Sequence, residues 1–202
     1  MGNIILIHGL YMHGLVMMPM AKRFKSLGYK TKCLSYNSVK INESLLFSRI
    51  DDAIDHNTAN YLVGHSLGGV MIKRYLKSRN LSLDVMPKVA IIGSPINGAQ
   101  IVRRIRGMNL DRMLGNAPNH GLEPSEGAWD APQKLISIAG SVNVGVGTIL
   151  LDRKMESDGT VMVKETKIEG MTEHCVLRCN HTSLIYSMET ARKIHNFIQQ
   201  HD

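Results

Sequence analysis

Gly64-His65-Ser66-Leu67-Gly68 sets a serine midway between two glycines, the G-x-S-x-G spacing. That spacing suits a sharp strand-to-helix turn, in which small neighbours are needed for clearance and the hydroxyl is lifted above the sheet as a nucleophile. The bare pattern is weak, since 18 glycines in 202 residues, with the serines present, give about 0.1 chance occurrences. Its setting adds weight. Asn60-Tyr61-Leu62-Val63 leads in with strand character, and Val70 to Lys77 leads out with helical spacing.

A serine hydroxyl attacks an acyl carbon only when a base takes its proton and a carboxylate orients that base. Sites on parallel sheets lie beyond the carboxyl ends of the strands, which sorts the nine histidines. His181 follows a strand ending near Cys179 and is the expected base. His174 begins that strand at the opposite rim, His195 falls inside the last helix, and His56, His120 and His201 follow no strand. His65 adjoins Ser66 on a turn that points neighbours apart, and His8, next to Gly9, is given a structural part. The acid should come between serine and histidine, after the strand at 135–139. Asp158 is favoured, because Asp158-Gly159 is a turn dipeptide that can hold a carboxylate at a corner; Asp152 beside Arg153 and Glu156 are the alternatives. Backbone amides must receive the developing oxyanion, and losing one such donor costs ~3 kcal/mol. The amides expected to do so are those of Leu67, after the nucleophile, and Leu10, in the loop after the first strand.

These groups need a frame. Apolar, β-branched runs at Asn3 to Ile7, Lys30 to Leu34, Asn60 to Val63, Lys88 to Ile92, Lys134 to Ala139 and His174 to Cys179 read as strands. Helical periodicity occupies Met18 to Leu27, Glu43 to Asn57, Leu67 to Ser78 and Leu184 to Gln200. The alternation, with strands that lean toward continuous apolar runs, predicts an α/β fold with a parallel sheet covered on both faces. A length of 202 residues fits one domain. The stretch from Gly98 to Pro132 breaks the pattern and reads as a cap over a site.

Together these residues resemble the lipase and esterase branch of the α/β-hydrolases, in particular minimal lipases that start directly at a His-Gly strand. The marks are His8-Gly9-Leu10, Gly64 to Gly69, Gly93-Ser94-Pro95-Ile96-Asn97-Gly98, Asp158-Gly159-Thr160-Val161 and Asn180-His181-Thr182-Ser183-Leu184. The resemblance implies a single-domain α/β-hydrolase fold of about six mostly parallel strands flanked by helices, without the N-terminal antiparallel hairpin and with a cap-like insertion at 98–132. It also implies a Ser66, Asp158 and His181 triad, an oxyanion hole at Leu10 and Leu67, and ester cleavage through an acyl-enzyme. A thioesterase or acyltransferase is the neighbouring reading, and a non-catalytic binding module on the same fold is the reading of another class.

Tyr11, Met12, His65, Ser94, Pro95 and Ile96 are expected to line the substrate, with the methionine-rich loop of Met17, Met18 and Met20 either cradling an acyl chain or filling core. No cofactor is expected, and no metal: His174, Cys175, Cys179 and His181 crowd together but match no closed zinc spacing. The net charge of +7 would suit an acidic partner, yet the one dense cluster, Arg103-Arg104-Ile105-Arg106, lacks the aromatics of a single-strand binder, so nucleic acid is not expected. Ile101, Val102, Ile105 and Met108 set an apolar face against those arginines, an arrangement that would suit peripheral lipid contact as well as an ordinary surface helix. With no signal-like start, no spanning run and three cysteines, the cytoplasm is the expected compartment.

Overall fold

The computed structural model describes residues 1–99, 102, 114–120, 127–145 and 155–200. Its strands are β1 (Asn3–Ile7), β2 (Lys30–Leu34), β3 (Asn60–His65), β4 (Lys88–Ile92), β5 (Lys134–Gly140) and β6 (Glu173–Leu177). They form one sheet in the order β2-β1-β3-β4-β5-β6, and every neighbouring pair is parallel. Around it stand α1 (Met18–Ser26), α2 (Glu43–Asp51), α3 (Leu67–Ser78), α4 (Ser183–Tyr186) and α5 (Met188–Gln199).

Apolar runs without alternation become strands here because both faces are covered. In β1, Ile5 and Ile7 pack with Leu46, Phe47 and Ile50 of α2 and Val70, Met71 and Tyr75 of α3. Ile4 and Leu6 face the other way, into a layer with Met20 and Phe24 of α1 and Ala191, Ile194 and Phe197 of α5. All four strand residues are fully buried, and each such side chain contributes about 1.5–3 kcal/mol. β2 is an edge strand, and its exposed Lys30 and Lys32 discourage pairing with another chain.

Several boundaries differ from the sequence reading, each for a local reason. β3 runs on through Gly64 and His65, which stay paired with Ile7, Ile91 and Ile92. α2 stops at Asp51 because the following loop is tied to Asn60, whose side chain accepts from the Asp55 amide at 2.8 Å and donates to Asp55 O at 2.9 Å. The last helix is two: Ser187 is extended and caps α5, accepting from the Thr190 amide at 3.2 Å. β6 lies slightly earlier than His174 to Cys179, leaving Cys179 and His181 in the loop that follows it.

The cap expected at 98–132 lies partly outside the described residues, as do the proposed lipid-facing Ile101, Ile105 and Met108. Its described parts are anchored. Leu114, Ala117 and Trp129 are buried in the α2 and α3 layer, and the Asn116 side chain bonds both the amide (2.7 Å) and the carbonyl (2.9 Å) of Ile41. Among the described residues no helix is long and apolar enough to cross a membrane.

The chain passes from β1 outward to β2, then returns to the other side of β1 with β3 and continues to β6. The connections out of β1 and β3 therefore part in opposite directions, leaving a crevice beyond their carboxyl ends, where open α/β sheets bind ligands.

Candidate active site

Ser66 stands at the carboxyl end of β3, where the strand turns into α3, with φ 54° and ψ −124°. A non-glycine residue held in such a region costs on the order of 1–3 kcal/mol and needs surroundings that enforce it. The Ser66 amide donates to Ile92 O at 2.8 Å, and the Gly69 amide donates to Ser66 O at 3.0 Å. Contact explains the flanking glycines. A Cβ on Gly68 would lie 2.3 Å from Ile7 O, and one on Gly64 would lie 2.5 Å from the Gly69 nitrogen. The two glycines let α3 begin directly against the end of β1.

The loop after β1 passes beside the serine, since a Cβ on Gly9 would sit 2.8 Å from Ser66 Cβ. Fully buried His8 shapes this loop. Its Nδ1–H donates to Gly9 O at 2.8 Å, and its Nε2 accepts from the Tyr36 amide at 3.2 Å. The Tyr36 ring stacks on it at 4.5 Å and the Tyr36 hydroxyl donates to His8 O at 3.1 Å. Both ring nitrogens are thus engaged in the neutral form, which burial also favours by lowering the imidazole pKa. Gly9 C=O and Leu10 N–H share one planar peptide, so the His8 bond sets the orientation of the Leu10 amide as well. Tyr11 follows at φ 57°, its amide donating to Ser38 Oγ at 3.0 Å.

Across the rim, His181 Nδ1–H donates to Asp158 Oδ2 at 2.7 Å, leaving the lone pair on Nε2. The other carboxylate oxygen accepts from the amides of Thr160 at 2.9 Å and Val161 at 2.8 Å, so the turn at Asp158-Gly159 clamps it. The His181 amide donates to Asp158 O at 2.8 Å, coupling the two loops through backbone as well. Asp158 is 1% exposed and His181 8%, so the carboxylate is sealed while the imidazole keeps an edge at the surface.

The end of β4 joins the two halves. Ile92 O receives the Ser66 amide, and a Cβ on the next residue, Gly93, would lie 3.0 Å from Asp158 Oδ2 and 3.1 Å from His181 Nδ1. The sequence reading quoted Gly93 but assigned it no part. Its positive φ of 54° beside a strand end is the signal that a glycine there would carry, and only the fold discloses what it faces.

The remaining candidates fall elsewhere. His174 is bonded to Thr166 Oγ1 at 2.9 Å, His195 to the Tyr29 hydroxyl at 2.9 Å, and His120 to Glu43 Oε1 at 2.5 Å. Asp152 and His201 lie outside the described residues, and Glu156 is exposed. Of the six residues expected to line a substrate, Tyr11 and Met12 are accessible. His65 and Ser94 are fully buried, Ile96 is 2% exposed and Pro95 is buried. Ser94 packs against α3, its Oγ 2.1 Å and its Cβ 2.7 Å from where a Cβ on Gly69 would be, and the His65 ring lies 4.6 Å from that of His181.

No family model matches the sequence, and no curated protein matches it. Solved structures do. The mature form of the Bacillus licheniformis lipase BlEst2 superposes with a TM-score of 0.79 at 18% identity, over 97% of this chain and 91% of that one. The propeptide form gives 0.80 at 19%, over 99% of this chain and half, 50%, of that longer one. A pyrethroid hydrolase from Sphingobium faniae gives 0.63 at 15%, over 97% and 96% of the two chains. At these identities the likeness establishes the fold: that of the α/β-hydrolases.

Proposed function

We propose that this chain, an α/β-hydrolase by fold, is a serine hydrolase that cleaves carboxylic esters through an acyl-enzyme. Ser66 is the nucleophile, His181 the base and Asp158 its orienting carboxylate; the amides of Leu10 and Leu67 receive the oxyanion. The observation that carries this is the convergence at Ile92-Gly93. One strand end holds the strained serine through its amide and abuts the Asp158–His181 pair.

In the first half-reaction His181 Nε2 takes the Ser66 proton as Oγ attacks the acyl carbon, and the tetrahedral oxyanion forms. The C–O bond to the alcohol then breaks and the imidazolium returns its proton to the leaving oxygen. Water, deprotonated by the same nitrogen, repeats the sequence and frees the acid. Asp158 makes this possible by fixing the tautomer that leaves Nε2 bare and by facing the imidazolium with its carboxylate, and the amides of Thr160 and Val161 hold that carboxylate in place. The similarity to a lipase and a pyrethroid hydrolase supports an ester as substrate. On this reading residues 1–202 form one domain acting on small acyl esters, and the cytoplasm is its compartment.

Purified protein should hydrolyse short p-nitrophenyl esters, and Ser66→Ala and Asp158→Asn should each lower kcat by on the order of 10⁴. A rate unchanged by Ser66→Ala would contradict the proposal. Faster turnover of thioesters than of matched oxygen esters would move the assignment to a thioesterase.

A further inference from the structure

His65 is fully buried and its ring is used on one side only. Nε2 lies 3.0 Å from His181 O. A carbonyl only accepts, so this nitrogen carries the hydrogen and donates. The two rings approach to 4.6 Å between centroids. On the opposite side, Nδ1 has no hydrogen-bond partner among the described residues and faces the loop after β1, 3.3 Å from where a Cβ on Gly9 would be. The ring therefore spans from the loop beside the nucleophile to the backbone of the base.

An imidazole is a poor choice for packing here. A buried nitrogen without a partner is destabilising, and an apolar side chain of similar volume would fill the space without that penalty. What an apolar side chain could not do is donate to His181 O. That bond completes a hold on the base from three directions: its amide is fixed by Asp158 O, its Nδ1 by Asp158 Oδ2, and its carbonyl by His65.

Resting on the assignment of His181 as base, we propose that His65 is a positioning residue: its Nε2–H fixes the His181 main chain so that the imidazole stays aligned between Asp158 and Ser66. The residue before the nucleophile thus places the base, across 116 positions of sequence. It touches neither substrate nor the reacting atoms, so its loss should act on turnover rather than on binding.

The test compares His65→Leu, which removes the donor, with His65→Gln, whose side-chain amide can place an N–H where Nε2 stood. His65→Leu should lower kcat for a p-nitrophenyl ester about tenfold or more with KM within about twofold, because small misplacement of a catalytic group acts on the chemical step. His65→Gln should recover kcat to within about threefold of the wild type. A folded His65→Leu with wild-type kcat, or a His65→Gln as slow as His65→Leu, would overturn the proposal. Should His65→Leu fail to fold, His65→Asn takes its place, since its shorter amide cannot reach the carbonyl. A second readout needs no turnover: proton NMR of the His181 Nδ1–H bonded to Asp158. That resonance should be sharp and far downfield in the wild type and in His65→Gln, and weakened in His65→Leu. If the wild type hydrolyses no ester but the resonance behaves so, the ester assignment fails and the hold on His181 stands; an unaltered resonance in His65→Leu removes the hold itself.

Discussion

His8 and His65 are both completely buried, and burial lowers the pKa of each ring from the ordinary 6.5, that of His65 well below it. In the unfolded chain the same rings take up protons at 6.5. Below that pH the unfolded state therefore binds more protons than the folded one, and stability declines as pH falls from 6.5 toward the lowered folded values; above 6.5 the contribution is fully present. Thermal denaturation followed from about pH 8 down to about pH 5 should show Tm level and then falling, with the fall shallower in His65→Gln. The groups nearest His65, namely His181, Asp158 and His8, are unchanged in that variant, so an identical descent would contradict the account. The contact between Asp158 and His181 was legible in advance, because a turn dipeptide and a strand end each announce themselves over a few residues. The bond from His65 to His181 O was not. Adjacency to Ser66 suggested a side chain pointing away from the chemistry, and nothing local in the sequence says that a carbonyl 116 positions away arrives beneath it.

The element that makes the site is the junction of β3 and α3, and its constraint is steric. A methyl group on Gly68 would collide with backbone, Ile7 O at 2.3 Å and His8 O at 2.8 Å, and backbone at a central strand cannot yield cheaply. Gly68→Ala should therefore destabilise the fold by about 1–3 kcal/mol in denaturant unfolding. Gly127→Ala is the control, since among the described residues the nearest atom to a Cβ there is Lys73 Nζ at 3.8 Å. Equal stability of the two variants would refute the steric reading. Strands were legible because runs such as Ile4 to Ile7 and Val89 to Ile92 must be buried on both faces, which few other arrangements allow. The helix ends were less so. Periodicity carried Glu43 past Asp51 toward Asn57 and ran through Ser187, whereas the real boundaries depend on Asn60 and Ser187, polar side chains whose partners are chosen by tertiary placement.

At the scale of the whole molecule, the order β2-β1-β3-β4-β5-β6 brings the ends of β1 and β3 together at the point where the chain reverses direction across the sheet. Backbone bonds from Ser66 to Ile92 O and from Gly93 to Ile138 O then fasten the ends of β3, β4 and β5 into one rim, to which Asp158 and His181 are tied. On the proposed mechanism, activation of Ser66 would be a property of this assembled rim and of no single segment. A fluorophosphonate probe, followed by mass spectrometry of the digested protein, reads that property without any assumption about substrate. At neutral pH the folded chain should acquire one adduct, on Ser66, and protein unfolded beforehand should acquire none. A folded chain that leaves Ser66 unlabelled, or that reacts equally well when unfolded, would contradict the account.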